Sequence, residues 1–153
     1  KVLARVDFTT ILFFLGILMA VAALQCAGIL GDLALRLDEA IGNVYVIDII
    51  IGALSSIVDN VPLVAGSMGM YSVDAVGPYA TDGVFWMFLA YCAGVGGSML
   101  IIGSAAGVVV MGLEKVPFGW YLKHISILAL IGYLAGALFF IFQEEVIRPW
   151  LSI

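Results

Sequence analysis

One short segment concentrates the groups that could do chemistry: Ser55-Ser56-Ile57-Val58-Asp59-Asn60-Val61-Pro62 sets two hydroxyls, a carboxylate, an amide and a proline inside an otherwise apolar stretch. An ionisable side chain at membrane depth is costly, so such groups face a cavity, a partner or an ion rather than lipid. Proline lacks an amide hydrogen and helps interrupt a helix, which frees backbone carbonyls for coordination. The segment therefore reads as the polar tip of a broken helix and as a cation site. A small hard cation takes oxygen ligands. Asp59 offers a carboxylate, Asn60 an amide oxygen, Ser55 and Ser56 hydroxyls, and the chain around Pro62 free carbonyls. Ser98 and Ser104, in a second polar interruption, could add neutral oxygens from a facing break. A carboxylate binds either a proton or a metal cation, so the two would compete at Asp59, and competition for one site is sufficient for exchange.

The elements that must hold these groups follow from the apolar runs. Residues 8–30 carry no charge and are long enough to span a bilayer. Residues 31–42 mix leucines with Asp32, Arg36, Asp38 and Glu39, as a short helix lying along a membrane interface does. Residues 44–58 and 61–71 are each shorter than the roughly 20 residues a spanning helix needs, and together predict a re-entrant hairpin with Asp59-Asn60 at its tip. One kinked span over residues 44–70 is the alternative, since prolines are tolerated in membrane helices. Residues 72–83 form a polar loop with Asp74 and Asp82, and residues 84–112 an apolar helix interrupted at Gly94-Val95-Gly96-Gly97-Ser98 and Gly103-Ser104-Ala105-Ala106-Gly107. Residues 118–142 make a final span, in which Gly132 and Gly136 share a face suited to close helix packing. Three units result: a span plus interfacial arm over 1–42, the hairpin over 43–71, and the broken helix with the last span over 72–153.

Composition agrees with a membrane setting: the 153 residues are 64% hydrophobic and 11% charged, with a mean hydropathy of +1.21, well beyond an ordinary soluble domain. The chain is expected to be an all-α integral membrane protein in contact with lipid. A net charge of -5 with no basic run argues against a nucleic-acid partner. Cys26 and Cys92 are isolated within apolar segments and read as packing side chains rather than a disulfide or metal pair. The start at Lys1, without methionine or signal peptide, suggests a piece of a longer polypeptide. Lysine and arginine collect on the cytoplasmic side. That rule places Lys1, Arg5, Lys115 and Lys123 inside, and Arg36, Arg148 and the acidic 72–83 loop outside, an arrangement consistent with the hairpin and not with a full crossing.

Three stretches carry a family resemblance: Thr9-Thr10-Ile11-Leu12-Phe13-Phe14-Leu15-Gly16-Ile17-Leu18, Ser56-Ile57-Val58-Asp59-Asn60-Val61-Pro62-Leu63-Val64, and Gly96-Gly97-Ser98-Met99-Leu100-Ile101-Ile102-Gly103-Ser104-Ala105-Ala106-Gly107. Over nearly its whole length the chain resembles the second half of the NhaD-type sodium/proton antiporters of the ion transporter superfamily. The resemblance implies one of two inverted repeats, each with a hairpin and a broken helix, in an elevator-type transporter. It implies transported sodium (or lithium) and protons with no cofactor, a missing N-terminal repeat as partner, a homodimer, and a bacterial inner (plasma) membrane. It also assigns ion handling to Asp59, Asn60, Ser98 and Ser104.

Plainer roles stand beside these. Asp59 suits the N-cap of the hairpin's second helix, and Ser55, Ser56, Ser67, Ser98 and Ser104 suit hydroxyls bonded to a carbonyl one turn back. Asp48 lies eleven positions before Asp59, roughly 16 Å along a continuous helix. It is expected at the outer water interface, away from the site, with ion entry as its functional alternative. His124, beside Lys123, reads as an interfacial residue, with pH sensing as the alternative; Trp86, Trp120, Tyr121 and Trp150 suit an aromatic belt. A dicarboxylate or oxyanion carrier of the same superfamily is the nearest other function, although such carriers resemble this chain with hydroxyl-bearing tips where Asp59 stands here. An intramembrane serine protease would need Ser104 as nucleophile and His124 as base, yet these belong to mid-span and interface respectively. A membrane scaffold would leave the Asp59-Asn60 pair without a purpose.

Overall fold

The computed structural model describes residues 8–151; Lys1 and Arg5, used above for orientation, lie outside them. The described residues form helices α1 (Phe8–Cys26), α2 (Ile29–Ala40), α3 (Val44–Leu54), α4 (Asn60–Met70), α5 (Val84–Gly96), α6 (Ala105–Leu113), α7 (Phe118–His124) and α8 (Ser126–Phe142), then a π-helical turn (Gln143–Ile147) and α9 (Arg148–Leu151). They contain no strand, only an isolated bridge between Asp74 and Ala80.

Helix α1 bends by 75° into α2 across the break at Ala27-Gly28. Gly28 takes φ 76°, a left-handed conformation that glycine adopts without strain. The amphipathic arm expected at residues 31–42 is therefore a helix turned sharply out of the first one.

Helices α3 and α5 make the most extensive pairing, and they run parallel. Ile47 packs with Phe85 and Leu89 near their starts, whereas Gly52 faces Cys92 and Gly96 further along. Small residues permit this approach: a methyl group on Gly96 would strike the Gly52 carbonyl, and one on Gly52 would strike Cys92 and the Tyr133 hydroxyl. Lipid gives helices little hydrophobic reason to associate, so close packing of this kind is what holds them. Helix α4 runs back on the other side, packed on α1 and α2. Tyr71, which ends it, lies 4.8 Å ring to ring from Phe85 at the start of α5 and joins the same cluster as Ile47. The start of α3, the end of α4 and the start of α5 thus share one end of the molecule.

On the far side of α5, α8 packs through Tyr133, which is fully buried and donates to the Ile49 carbonyl at 2.8 Å. Gly136 is the close-packing glycine anticipated there, because a methyl on it would meet the Tyr91 ring; Gly132 faces open space. The last span differs from its expected limits. Residues 118–124 form the separate α7, and the long helix starts at Ser126 and continues to Trp150, 25 residues long and apolar enough to cross a bilayer. The break falls just past Lys123 and His124, and beyond residue 142, the expected end of the span, Gln143-Glu144-Glu145 continues the helix as a π turn. Glu144 there pairs with Arg148 one turn on.

Candidate functional site

The two interruptions read from sequence meet. Ser55, buried at the C-terminal end of α3, donates its hydroxyl to the Ala93 carbonyl of α5 at 2.8 Å. A methyl group on Gly103 would collide with the Ser55 carbonyl and the Ser56 backbone, so the turn after α3 is seated directly in the break between α5 and α6. That break, residues 97–104, contains Ile101 at φ 61°, a left-handed conformation that a β-branched residue adopts only under strain. Packing compensates, since Ile101 is buried. Irregular backbone enclosed by protein is the form in which non-helical segments are tolerated at membrane depth.

Each predicted ligand has a defined local role in this geometry. Asp59 is the N-cap of α4 and accepts from the Val61 amide at 3.3 Å. Asn60 opens the same helix and is half-buried. Pro62 sits in the first turn of α4, where backbone amides have no intrahelical acceptor in any case, so it breaks nothing. The interruption comes from residues 55–59, not from Pro62, and the Ile51, Gly52, Ala53 and Leu54 carbonyls that end α3 accept amides of that turn. Ser56 donates to the Ala53 carbonyl at 2.7 Å, and Ser67 to Leu63 at 3.0 Å. Ser98 is exposed and donates to Val95 at 2.6 Å. Ser104 caps α6 by accepting from the Gly107 amide at 3.2 Å. Ser55 and Ser56 are brought to the break that contains Ser98 and Ser104; Asp59 and Asn60 lie a few residues further along the turn, at the head of α4.

Asp48 is where the sequence reading fails. It is fully buried in α3, not at a water interface, and among the described residues neither carboxylate oxygen has a hydrogen-bond partner. Its position four residues before Gly52 places it on the face turned to α5. The signal available in sequence was an acid inside Val44-Tyr45-Val46-Ile47-Asp48-Ile49-Ile50-Ile51, a run too apolar for an interface. His124 is exposed, its ring stacks on Trp120, and Nδ1 lies 2.9 Å from the Trp120 carbonyl. Cys92 is buried in the core and Cys26 is exposed; both are free thiols.

Residues 1–83 match the citrate transporter family. The chain belongs to that family. Relatives extend the match over most of the chain and are of the NhaD type. "Sodium/proton antiporter 1" of Arabidopsis thaliana is 52% identical over 136 residues, covering 89% of this chain and 23% of the relative. "Sodium/proton antiporter 2" of the same plant is 51% identical, covering 88% and 31%. The "Na(+)/H(+) antiporter NhaD" of Alkalimonas amylolytica is 38% identical, covering 87% and 26%. No solved structure matches. This family member thus spans about a quarter of the length of these relatives. It is an integral membrane protein, and the relatives are named as transporters, not enzymes, which removes the serine protease reading. The Ser104 hydroxyl is in any case engaged in capping α6.

Proposed function

We propose that the chain is one repeat of a sodium (or lithium)/proton antiporter, with α3 and α4 forming a re-entrant hairpin and α5–α6 the broken helix facing it. The observation that carries this reading is the seating of the Ser55-Ser56 turn in the 97–104 break, which puts two helix interruptions against each other. Opposed interruptions gather freed carbonyls, hydroxyls and helix termini at one depth, as transporter ion sites require. The common end shared by the start of α3, the end of α4 and the start of α5 supports the hairpin, because a chain that enters and leaves on one side does not cross. The sodium/proton antiporter names of the relatives support the substrates over a dicarboxylate or oxyanion.

In this mechanism Asp59 is the shared carboxylate. A cation entering between tip and break displaces its proton, with Asn60, Ser55, Ser56, Ser98 and Ser104 as the neutral oxygens available for ligation. The first repeat of the full transporter completes the site. Residues 1–42 act as the scaffold side, and residues 43–71 and 72–153 move as the transport side in an elevator motion, within a homodimer. The membrane is the inner membrane of a bacterium or a membrane of a plant cell, since relatives come from both kinds of organism.

The test is Asp59→Asn in the full-length transporter. Asparagine caps a helix about as well as aspartate, so α4 keeps its start while the exchangeable proton is lost. Sodium-induced dequenching of a pH-sensitive dye in inverted vesicles should vanish while the amount of inserted protein is unchanged; exchange at the parent's rate would refute the assignment.

A further inference from the structure

The mechanism leaves unused one ionisable group that stands isolated among the described residues. Asp48 is fully buried, and no described group donates to either of its oxygens. Its neighbours on α3, Ile47 and Ile51, pack with Tyr71, Phe85 and Leu89, while Ile49 and Tyr45 belong to the cluster of Phe88, Cys92 and Tyr133. The carboxylate is therefore enclosed between the two apolar cores that join α3 to α5. A carboxyl group in such a place, with neither counter-charge nor donor, is tolerated only as the neutral acid. It also stabilises nothing there, since a leucine would fill the space without stranding polar atoms. Unrewarded ionisable groups at membrane depth mark ion and proton pathways.

The titratable groups around it are phenols and a thiol: Tyr71 at the end of α4, Tyr79 in the loop, Cys92 on α5 and Tyr133 on α8. Tyr79 is pushed up to about 12 by burial and then by Asp38 and Asp48, so it stays neutral near pH 7. Asp38 of α2 accepts from the Tyr71 hydroxyl at 3.3 Å. A cavity lies beyond these rings. Tyr71 and Tyr79 stack at 4.8 Å and line a cavity whose wall also carries Asp32, Asp38 and Asp74. The same two rings pack inward against the Ile47 and Ile51 cluster that encloses Asp48.

We infer that Asp48 is a second proton-binding site, separate from the tip carboxylate, which is loaded in the packed arrangement and releases its proton to water in the Asp32–Asp38–Asp74 cavity when the Tyr71–Tyr79 stack opens. The transported species it takes is the proton alone: among the described residues no group of three His, Cys, Asp or Glu side chains gathers there to hold a metal ion, whereas a neutral carboxylic acid needs none. This inference rests on the antiport reading for its coupling to sodium, though not for its protonation.

Infrared spectroscopy of the full-length transporter tests both parts. The parent at neutral pH should show the carbonyl stretching band of a protonated carboxyl group, absent from Asp48→Asn and from Asp48→Leu but retained in Asp59→Asn. Transfer into heavy water should shift that band slowly, and sodium-driven turnover should speed the shift at least severalfold. Reconstituted Asp48→Asn should still exchange sodium, with fewer protons moved per sodium as read from the reversal potential. A parent spectrum without the band, a band surviving in both Asp48 variants, or an exchange rate unchanged by sodium while the parent transports would each overturn the proposal. Failure of the antiport reading is separately visible, as absence of sodium-driven proton movement in the parent.

Discussion

The Ser55 hydroxyl donates to the Ala93 carbonyl at 2.8 Å, and that bond fixes the end of one interrupted helix pair against the other. Ser55 has no exposed surface, so the bond is made away from water. Ser55→Ala should lower the stability of the detergent-solubilised transporter by about 1 kcal/mol, the usual net worth of such a bond, and should reduce sodium-driven exchange. Thermal unfolding and vesicle exchange measured on one preparation check it; a variant equal to the parent in both would show that the bond positions nothing.

Gly103 is the counterpart on the break. A methyl there meets the Ser55 and Ser56 backbone, which cannot rotate away as a flexible side chain would. Gly103→Ala should separate the turn from the break and abolish exchange. Gly94→Ala is the matched control, because Gly94 lies on the same chain segment with nothing near it, and alanine is the better helix former by about 1 kcal/mol. The control should transport normally and unfold no earlier than the parent.

If proton and sodium compete at Asp59, acidification should raise the apparent sodium KM, approaching about tenfold per pH unit in the acid range, with a much smaller change in maximal rate. Ser104→Ala removes both a candidate ligand and the α6 N-cap, a loss of about 1 kcal/mol of stability. Ser98→Ala removes only a solvent-exposed hydroxyl bonded one turn back. Weaker sodium affinity in Ser98→Ala with unchanged stability would therefore identify that oxygen as a ligand. A sodium KM that does not vary with pH would sink simple competition.

Topology separates the hairpin from a kinked crossing. Single cysteines at positions 74 and 115, in a full-length background lacking Cys26 and Cys92, should label from opposite sides, with position 74 reached from outside in intact cells. Cytoplasmic-only labelling of position 74 would rule out the hairpin.

The amino-acid order makes most of the helices, their membrane setting and the two interruptions legible. Apolar runs between charged residues are a local property, and so is the Asp59 N-cap that starts α4; Ser104, read as a hydroxyl bonded one turn back, instead caps α6. The resemblance read from the Asp59-Asn60 and Gly103-Ser104 segments likewise agreed with the family to which the chain belongs. Which of these local features touch depends on the assembled helices. Gly52, Gly96 and Gly103 look alike in sequence as helix weak points, and their function as contact surfaces depends on which backbone lies opposite. The interruption attributed to Pro62 belongs to residues 55–59, because a proline in the first turn lacks only an amide that the helix would not have used. Asp48 was expected to reach water and does not. Its burial is decided by rings and side chains supplied from α4, α5, α8 and the loop between α4 and α5, and no window of sequence around one residue contains them.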